Sequence, residues 1–183
     1  SIWNADPSLK KVIVVCPASL RLNWKKEWQK WSVRKASVAV VNGGKPSDFP
    51  KSEWDVLVVN YDVLAKHRRT IDAYSIDLLI VDECQYCRNG KTTRAKAVLG
   101  SVTKGKRTAN GIDAKRKLFL TGTPIVNKPV ELWPLVEALD PTGLGSNFFK
   151  FAKTFCAAHE TQWGWAFTGA RNLDRLQREL RSK

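Results

Sequence analysis

Leu78-Leu79-Ile80-Val81-Asp82-Glu83-Cys84-Gln85 is an apolar run that stops abruptly at two adjacent carboxylates. Branched aliphatics without polar alternation are the pattern of a strand buried on both faces of a parallel sheet. Ligands of open α/β sheets bind at the carboxyl ends of the strands, and Asp82 and Glu83 are predicted to emerge there. Further along, a second apolar burst, Lys117-Leu118-Phe119-Leu120, is capped by Thr121-Gly122-Thr123-Pro124. An acidic pair after one strand and a threonine-glycine turn after the next suit the metal-binding and coupling segments of a nucleotide-driven motor.

The same grammar extends outward from these two runs. Residues 11–15 read as a buried strand ending at Cys16-Pro17. Residues 20–31 read as a helix with Leu20, Trp24, Trp28 and Trp31 along one stripe and Ser19 as its N-cap. Short strands are predicted at 38–41 and 56–60, followed by those at 78–81 and 117–120. A helix over 93–99 gives way to a polar loop. A helix over 129–139 starts at Pro129, with a kink at Pro134. Aromatic residues dominate from Asn147, and a charged helical tail begins at Leu173. Alternating strands and helices predict an α/β fold, a mainly parallel central sheet flanked by helices.

The chain has 183 residues, 43% hydrophobic and 26% charged, enough for a real core. Its apolar runs are too short to span a membrane. Lys and Arg outnumber Asp and Glu by 31 to 17, a net charge of +14. That excess suits a polyanionic partner. The basic residues are dispersed, with local clusters at 66–69, 104–107 and 115–117. The absence of methionine and the start at Ser1 read as part of a longer protein. Four cysteines suit reduced thiols better than disulfides. Cys84-x-x-Cys87 and Cys156-x-x-His159 have zinc-like spacing, but Cys84 sits inside the acidic motif, and no zinc site is predicted.

Nucleotide hydrolysis needs a phosphate cradle, a metal, a polarised water and charge compensation. Asp82 suits magnesium held through a water molecule, and Glu83 can orient and deprotonate the attacking water. Thr121 and Thr123 offer hydroxyls beside them. The cradle is missing: Gly100 to Arg107 lacks the hydroxyl that a P-loop needs after its lysine, and Gly90-Lys91-Thr92 lacks the first glycine. At Pro17, Ala18, Ser19 and Leu20, a hydroxyl and backbone amides at a helix start admit two readings, a nucleic-acid phosphate contact or plain N-capping.

In chain order, Val-Val-Cys-Pro-Ala-Ser-Leu-Arg-Leu-Asn-Trp (14–24), Val-Val-Asn-Tyr-Asp-Val-Leu (58–64), Ile-Val-Asp-Glu-Cys-Gln (80–85), Leu-Thr-Gly-Thr-Pro-Ile-Val-Asn (120–127) and Glu-Leu-Trp-Pro-Leu (131–135) resemble the first RecA-like lobe of a Swi/Snf-type ATPase of helicase superfamily two. Trp163 to Gly169 resembles a segment of the annealing-helicase branch and its phage and bacterial relatives. The resemblance implies a RecA-like three-layer lobe over 1–145, lacking its upstream P-loop strand, and an extension over 146–183 towards a second lobe. It implies ATP and magnesium as cofactors, both requiring the missing P-loop, and Asp82 and Glu83 as hydrolytic residues. It further implies Gln85, Thr121, Gly122 and Thr123 as coupling residues, and residues 17–20 on the DNA backbone. The partners would be double-stranded or forked DNA and the second lobe, with no membrane. The setting would be intracellular: the cytoplasm of a bacterium or phage-infected cell, or a eukaryotic nucleus. Gln85 stands where the family usually has histidine; it can hydrogen-bond to the coupling segment but cannot take a proton. This stretch alone is expected not to turn over ATP. A non-catalytic nucleic-acid-binding module and an RNA helicase lobe are the alternatives.

Overall fold

The computed structural model describes residues 2–103, 106–122 and 128–181. In chain order the elements are α1 (Ile2–Ala5), β1 (Val12–Cys16), α2 (Arg21–Trp31), β2 (Val38–Val40), β3 (Val56–Asn60), α3 (Tyr61–Ile71), β4 (Ile76–Val81) and α4 (Thr93–Leu99). There follow β5 (Gly100–Thr103), β6 (Lys106–Asn110), β7 (Ala114–Phe119), α5 (Trp133–Leu139), α6 (Phe148–Phe155), β8 (His159–Thr161), β9 (Gly164–Ala166) and α7 (Leu173–Arg181).

Among the described residues, five strands form one sheet in the order β2-β3-β1-β4-β7, every neighbouring pair parallel. The buried runs divide by parity, as a pleated strand requires. Val12, Val14, Val56, Val58, Leu78 and Ile80 point to one face, where Leu20, Trp24 and Trp28 cover them. Ile13, Val15, Leu57, Val59, Leu79 and Val81 point to the other, against Leu64 and Ile71 of α3 and Val98 of α4. Phe151, Ala152, Phe155 and Leu176 of the C-terminal segment join that second cluster. The architecture is the predicted three-layer α/β sandwich, with β1, β3 and β4 covered on both faces.

Several local expectations are corrected. The helix predicted from residue 20 begins with a 3-10 turn, Ala18–Leu20, and α2 starts at Arg21; neither start has a side-chain cap. Pro17, fixed at φ −55°, takes the cap position two residues before Ser19, so the turn starts at Ala18 and Ser19 lies inside it. Pro134 does not kink a helix: Pro129–Leu132 is a separate 3-10 turn, and Pro134 lies in the first turn of α5, where a proline costs no hydrogen bond. The polar stretch after α4 is a hairpin of β5 and β6, not a loop. Gly100 enters it at φ +83°, and a Cβ there would lie 2.3 Å from the Ala109 carbonyl oxygen. The weak P-loop look-alike that begins at Gly100 therefore belongs to a hairpin.

Candidate functional site

Because the sheet is parallel, β1, β4 and β7 deliver their carboxyl ends to one edge. The β4–β7 ladder continues past both strands: the Leu120 amide donates to the Val81 carbonyl at 2.9 Å, and the Cys84 amide to the Leu120 carbonyl at 2.9 Å. The Asp82 amide donates to the Val15 carbonyl at 2.8 Å. The acidic segment is thereby stitched to the ends of both neighbouring strands.

Asp82 is half-buried and held at both oxygens. Its Oδ2 accepts from the Trp24 indole N–H at 2.7 Å, and its Oδ1 from the Glu83 amide at 3.0 Å. The Tyr61 hydroxyl donates to the Asp82 carbonyl at 2.6 Å and lies 3.4 Å from that of Glu83. Glu83 takes the left-handed conformation, φ 52° and ψ 50°, which costs a non-glycine residue about 1–3 kcal/mol and persists only where the surroundings enforce it. Here the enforcing contacts are Tyr61 and the Cys84–Leu120 bond. The turn brings the carboxylate of Glu83 to Gln85, whose Nε2 donates to Glu83 Oε2 at 2.6 Å. Gln85 Oε1 accepts from the Thr121 hydroxyl at 2.7 Å. Glu83, Gln85 and Thr121 thus form one hydrogen-bonded bridge from the end of β4 to the end of β7.

Burial and the neighbouring charge of Asp82 push the Cys16 thiol up to about 12. Burial also raises the phenol of Tyr61, so it remains a donor at any ordinary pH. Cys84, Cys87 and Cys156 are likewise buried, and burial raises them to about 11, 12 and 11. Among the described residues, no three His, Cys, Asp or Glu side chains cluster as metal ligands.

Of the predicted site residues, Asp82, Glu83, Gln85 and Thr121 come together, and Gly122 follows exposed at the same edge. Thr123 lies outside the described residues. Pro17, Ala18, Ser19 and Leu20 form the turn that leaves β1 beside this edge, with Ala18 and Ser19 exposed. Arg21 braces the turn, donating from Nη1 to the Val41 carbonyl at 2.7 Å and from Nε to the Ala18 carbonyl at 3.2 Å. Two contributors are not legible as site residues in the sequence, Trp24 and Tyr61. Trp24 was one residue of an apolar stripe; Tyr61 follows Asn60 at a strand end, and that position was its available signal.

A three-layer parallel sheet with paired carboxylates at its carboxyl edge, bridged to the neighbouring strand end, defines a RecA-like ATPase-core lobe. The chain belongs to the SNF2-related domain family, whose model matches residues 3–182. It is 32% identical over 168 residues to the SWI/SNF-related matrix-associated actin-dependent regulator of chromatin subfamily A-like protein 1 of Xenopus tropicalis, covering 91% of this chain and 16% of that protein. It is 33% identical over 179 residues to the human DNA annealing helicase and endonuclease ZRANB3, covering 92% and 16%. The Sulfolobus solfataricus SWI2/SNF2 ATPase core in complex with dsDNA superposes with a TM-score of 0.65 at 28% identity, over 82% of this chain and 29% of that one. The chain therefore spans about one-sixth of the length of these two relatives. No described helix is long and apolar enough to cross a membrane.

Proposed function

We propose that this chain is the first lobe, residues 1–145 with an extension over 146–183, of an ATP-driven translocase on double-stranded or forked DNA inside the cell. It acts with a phosphate-binding loop and a second RecA-like lobe. The observation that carries this reading is the Glu83–Gln85–Thr121 bridge, which ties a hydrolytic carboxylate to the neighbouring strand end. Glu83 orients the attacking water and takes its proton. The Asp82 carboxylate, a hard oxygen donor fixed at both oxygens, suits magnesium held through water. When bound, the ion neutralises charge on the transferring phosphoryl group.

Gln85 senses the state of Glu83 through its amide and passes it through its carbonyl to Thr121. From there Gly122 and Thr123 carry it into the segment after β7. The turn at Pro17, Ala18, Ser19 and Leu20 contacts the DNA backbone beside the same edge. The net charge of +14 suits a polyanionic partner, and the duplex bound by the Sulfolobus relative favours double-stranded DNA over RNA. The test is ATP hydrolysis by the intact protein with duplex DNA, single-stranded DNA or RNA added. Stimulation by duplex or forked DNA is expected. Stimulation by RNA alone would make it an RNA helicase lobe, and no hydrolysis by a folded protein would make it a binding module.

A further inference from the structure

Beyond the nucleotide edge, the C-terminal segment carries a small hairpin that hydrolysis does not use. In it Glu160 faces Trp165 and Thr161 faces Gly164, which leaves Gln162 and Trp163 at the tip. The tip is braced from within. The Thr161 hydroxyl donates to the Gly164 carbonyl at 2.6 Å and accepts from the Trp163 amide at 3.3 Å. Gly164 closes the turn at φ +111°, a conformation that favours glycine.

The base of the hairpin is anchored on α6. Trp165 meets Phe149 edge to face with centroids 5.7 Å apart, and Phe149 meets Phe167 at 5.8 Å. The Lys153 ammonium lies 4.9 Å from the Trp165 ring centre. On this support the Trp163 indole stands 90% exposed. A large apolar ring left in water at a turn does nothing for folding, yet the backbone around it is held in one shape.

The surroundings indicate what the ring meets. Lys and Arg outnumber Asp and Glu by seven to three between residues 147 and 183. Lys150 and Lys153 are exposed one turn apart on α6. An exposed indole on a segment with an excess of Lys and Arg matches a single-stranded nucleic acid, whose bases stack and whose phosphates need countercharge. A continuous duplex offers no free base face. We propose that Trp163 is a stacking finger for an unpaired nucleobase, with Lys153 and Lys150 engaging the adjacent phosphates. The site would sense the junction where a DNA strand leaves the duplex.

This proposal rests on the nucleic-acid reading above, and the test separates the two. Affinities of the full chain, wild type and variant, are measured by fluorescence anisotropy for a labelled single strand, a fork and a duplex closed at both ends. Trp163→Ala should weaken fork and single-strand binding at least about fivefold and leave the closed duplex within about twofold, while Trp163→Phe keeps most of the affinity. Equal loss on all three DNAs, or no loss on any, as when the indole docks a protein, overturns the proposal. Wild-type binding to none of them overturns the nucleic-acid reading as well. Wild-type binding to the closed duplex, with fork binding unchanged in Trp163→Ala, removes the stacking finger alone.

Discussion

Replacing Gln85 by leucine keeps the bulk of the side chain and removes both ends of the bridge between Glu83 and Thr121. One lost hydrogen bond runs to a carboxylate at 2.6 Å, the other from a hydroxyl at 2.7 Å. A hydrogen bond to an ionised group contributes about 1.5–3 kcal/mol and a neutral one about 0.5–1.5 kcal/mol. The three residues are half-buried, so water replaces part of each bond and the lower ends apply, about 2 kcal/mol in all. If that energy aligns the carboxylate for hydrolysis, DNA-stimulated turnover should fall by about 30-fold. The assay is ATP hydrolysis by the intact protein with and without duplex DNA, with thermal melting to confirm folding. Thr121→Val cuts the neutral bond of the bridge, about 0.5 kcal/mol at that lower end, and should cost about twofold. The double variant should be little worse than Gln85→Leu, because the two changes break one shared bridge. A loss under about threefold for Gln85→Leu, or full additivity, would refute the bridge as a coupling element.

Trp24→Phe retains packing on the α2 face but removes the N–H held by Asp82. Steady-state turnover should drop about tenfold while unfolding free energy changes by less than about 1.5 kcal/mol; unchanged turnover would make Trp24 a packing residue only. Asp77 is buried, yet its Oδ2 accepts from the Lys10 and Lys11 amides at 2.7 and 3.0 Å and its Oδ1 from Lys115 at 2.7 Å. Burial alone would raise its carboxyl, but Lys115 and the two amides outweigh it and lower it to about 2. A depressed carboxylate stabilises the fold above the ordinary value of about 4, and that stability is lost as pH falls towards about 2. Asp77→Asn should cost about 1.5–3 kcal/mol at neutral pH and flatten the acid limb of a denaturant-unfolding series; an unchanged limb would assign acid sensitivity elsewhere. The four buried thiols, raised to about 11–12, should resist a thiol reagent in the native state at pH 8 and react together after denaturation. Rapid labelling of native protein would contradict their protonated, buried state.

Elements defined by continuous apolar runs were legible, since burial on both faces leaves a run no room for polar residues. Val56–Asn60 occupies the predicted range, and Asp82 and Glu83 follow β4 as the strand-end rule requires. Less legible was whatever depends on contact across the chain. Trp24 reaches Asp82 across 58 positions, and in sequence it is one tryptophan of a helical stripe. Helix α3 begins at Tyr61, directly after β3 ends at Asn60, so no loop composition announces it. The β5–β6 hairpin reads as a polar loop because its strands lack an apolar face to reveal them. Gln85, by contrast, is legible as a hydrogen-bonding partner of the coupling segment, and an amide with a donor at one end and an acceptor at the other fills that place between a carboxylate and a hydroxyl.

The most direct test of the central claim is ATP turnover by intact Glu83→Gln protein on duplex DNA, measured alongside nucleotide binding. Binding should persist while hydrolysis falls to background, because the amide fills the same space but cannot take the proton from water. Turnover near the wild-type rate would contradict Glu83 as the general base, and with it the reading of this edge as a hydrolytic site.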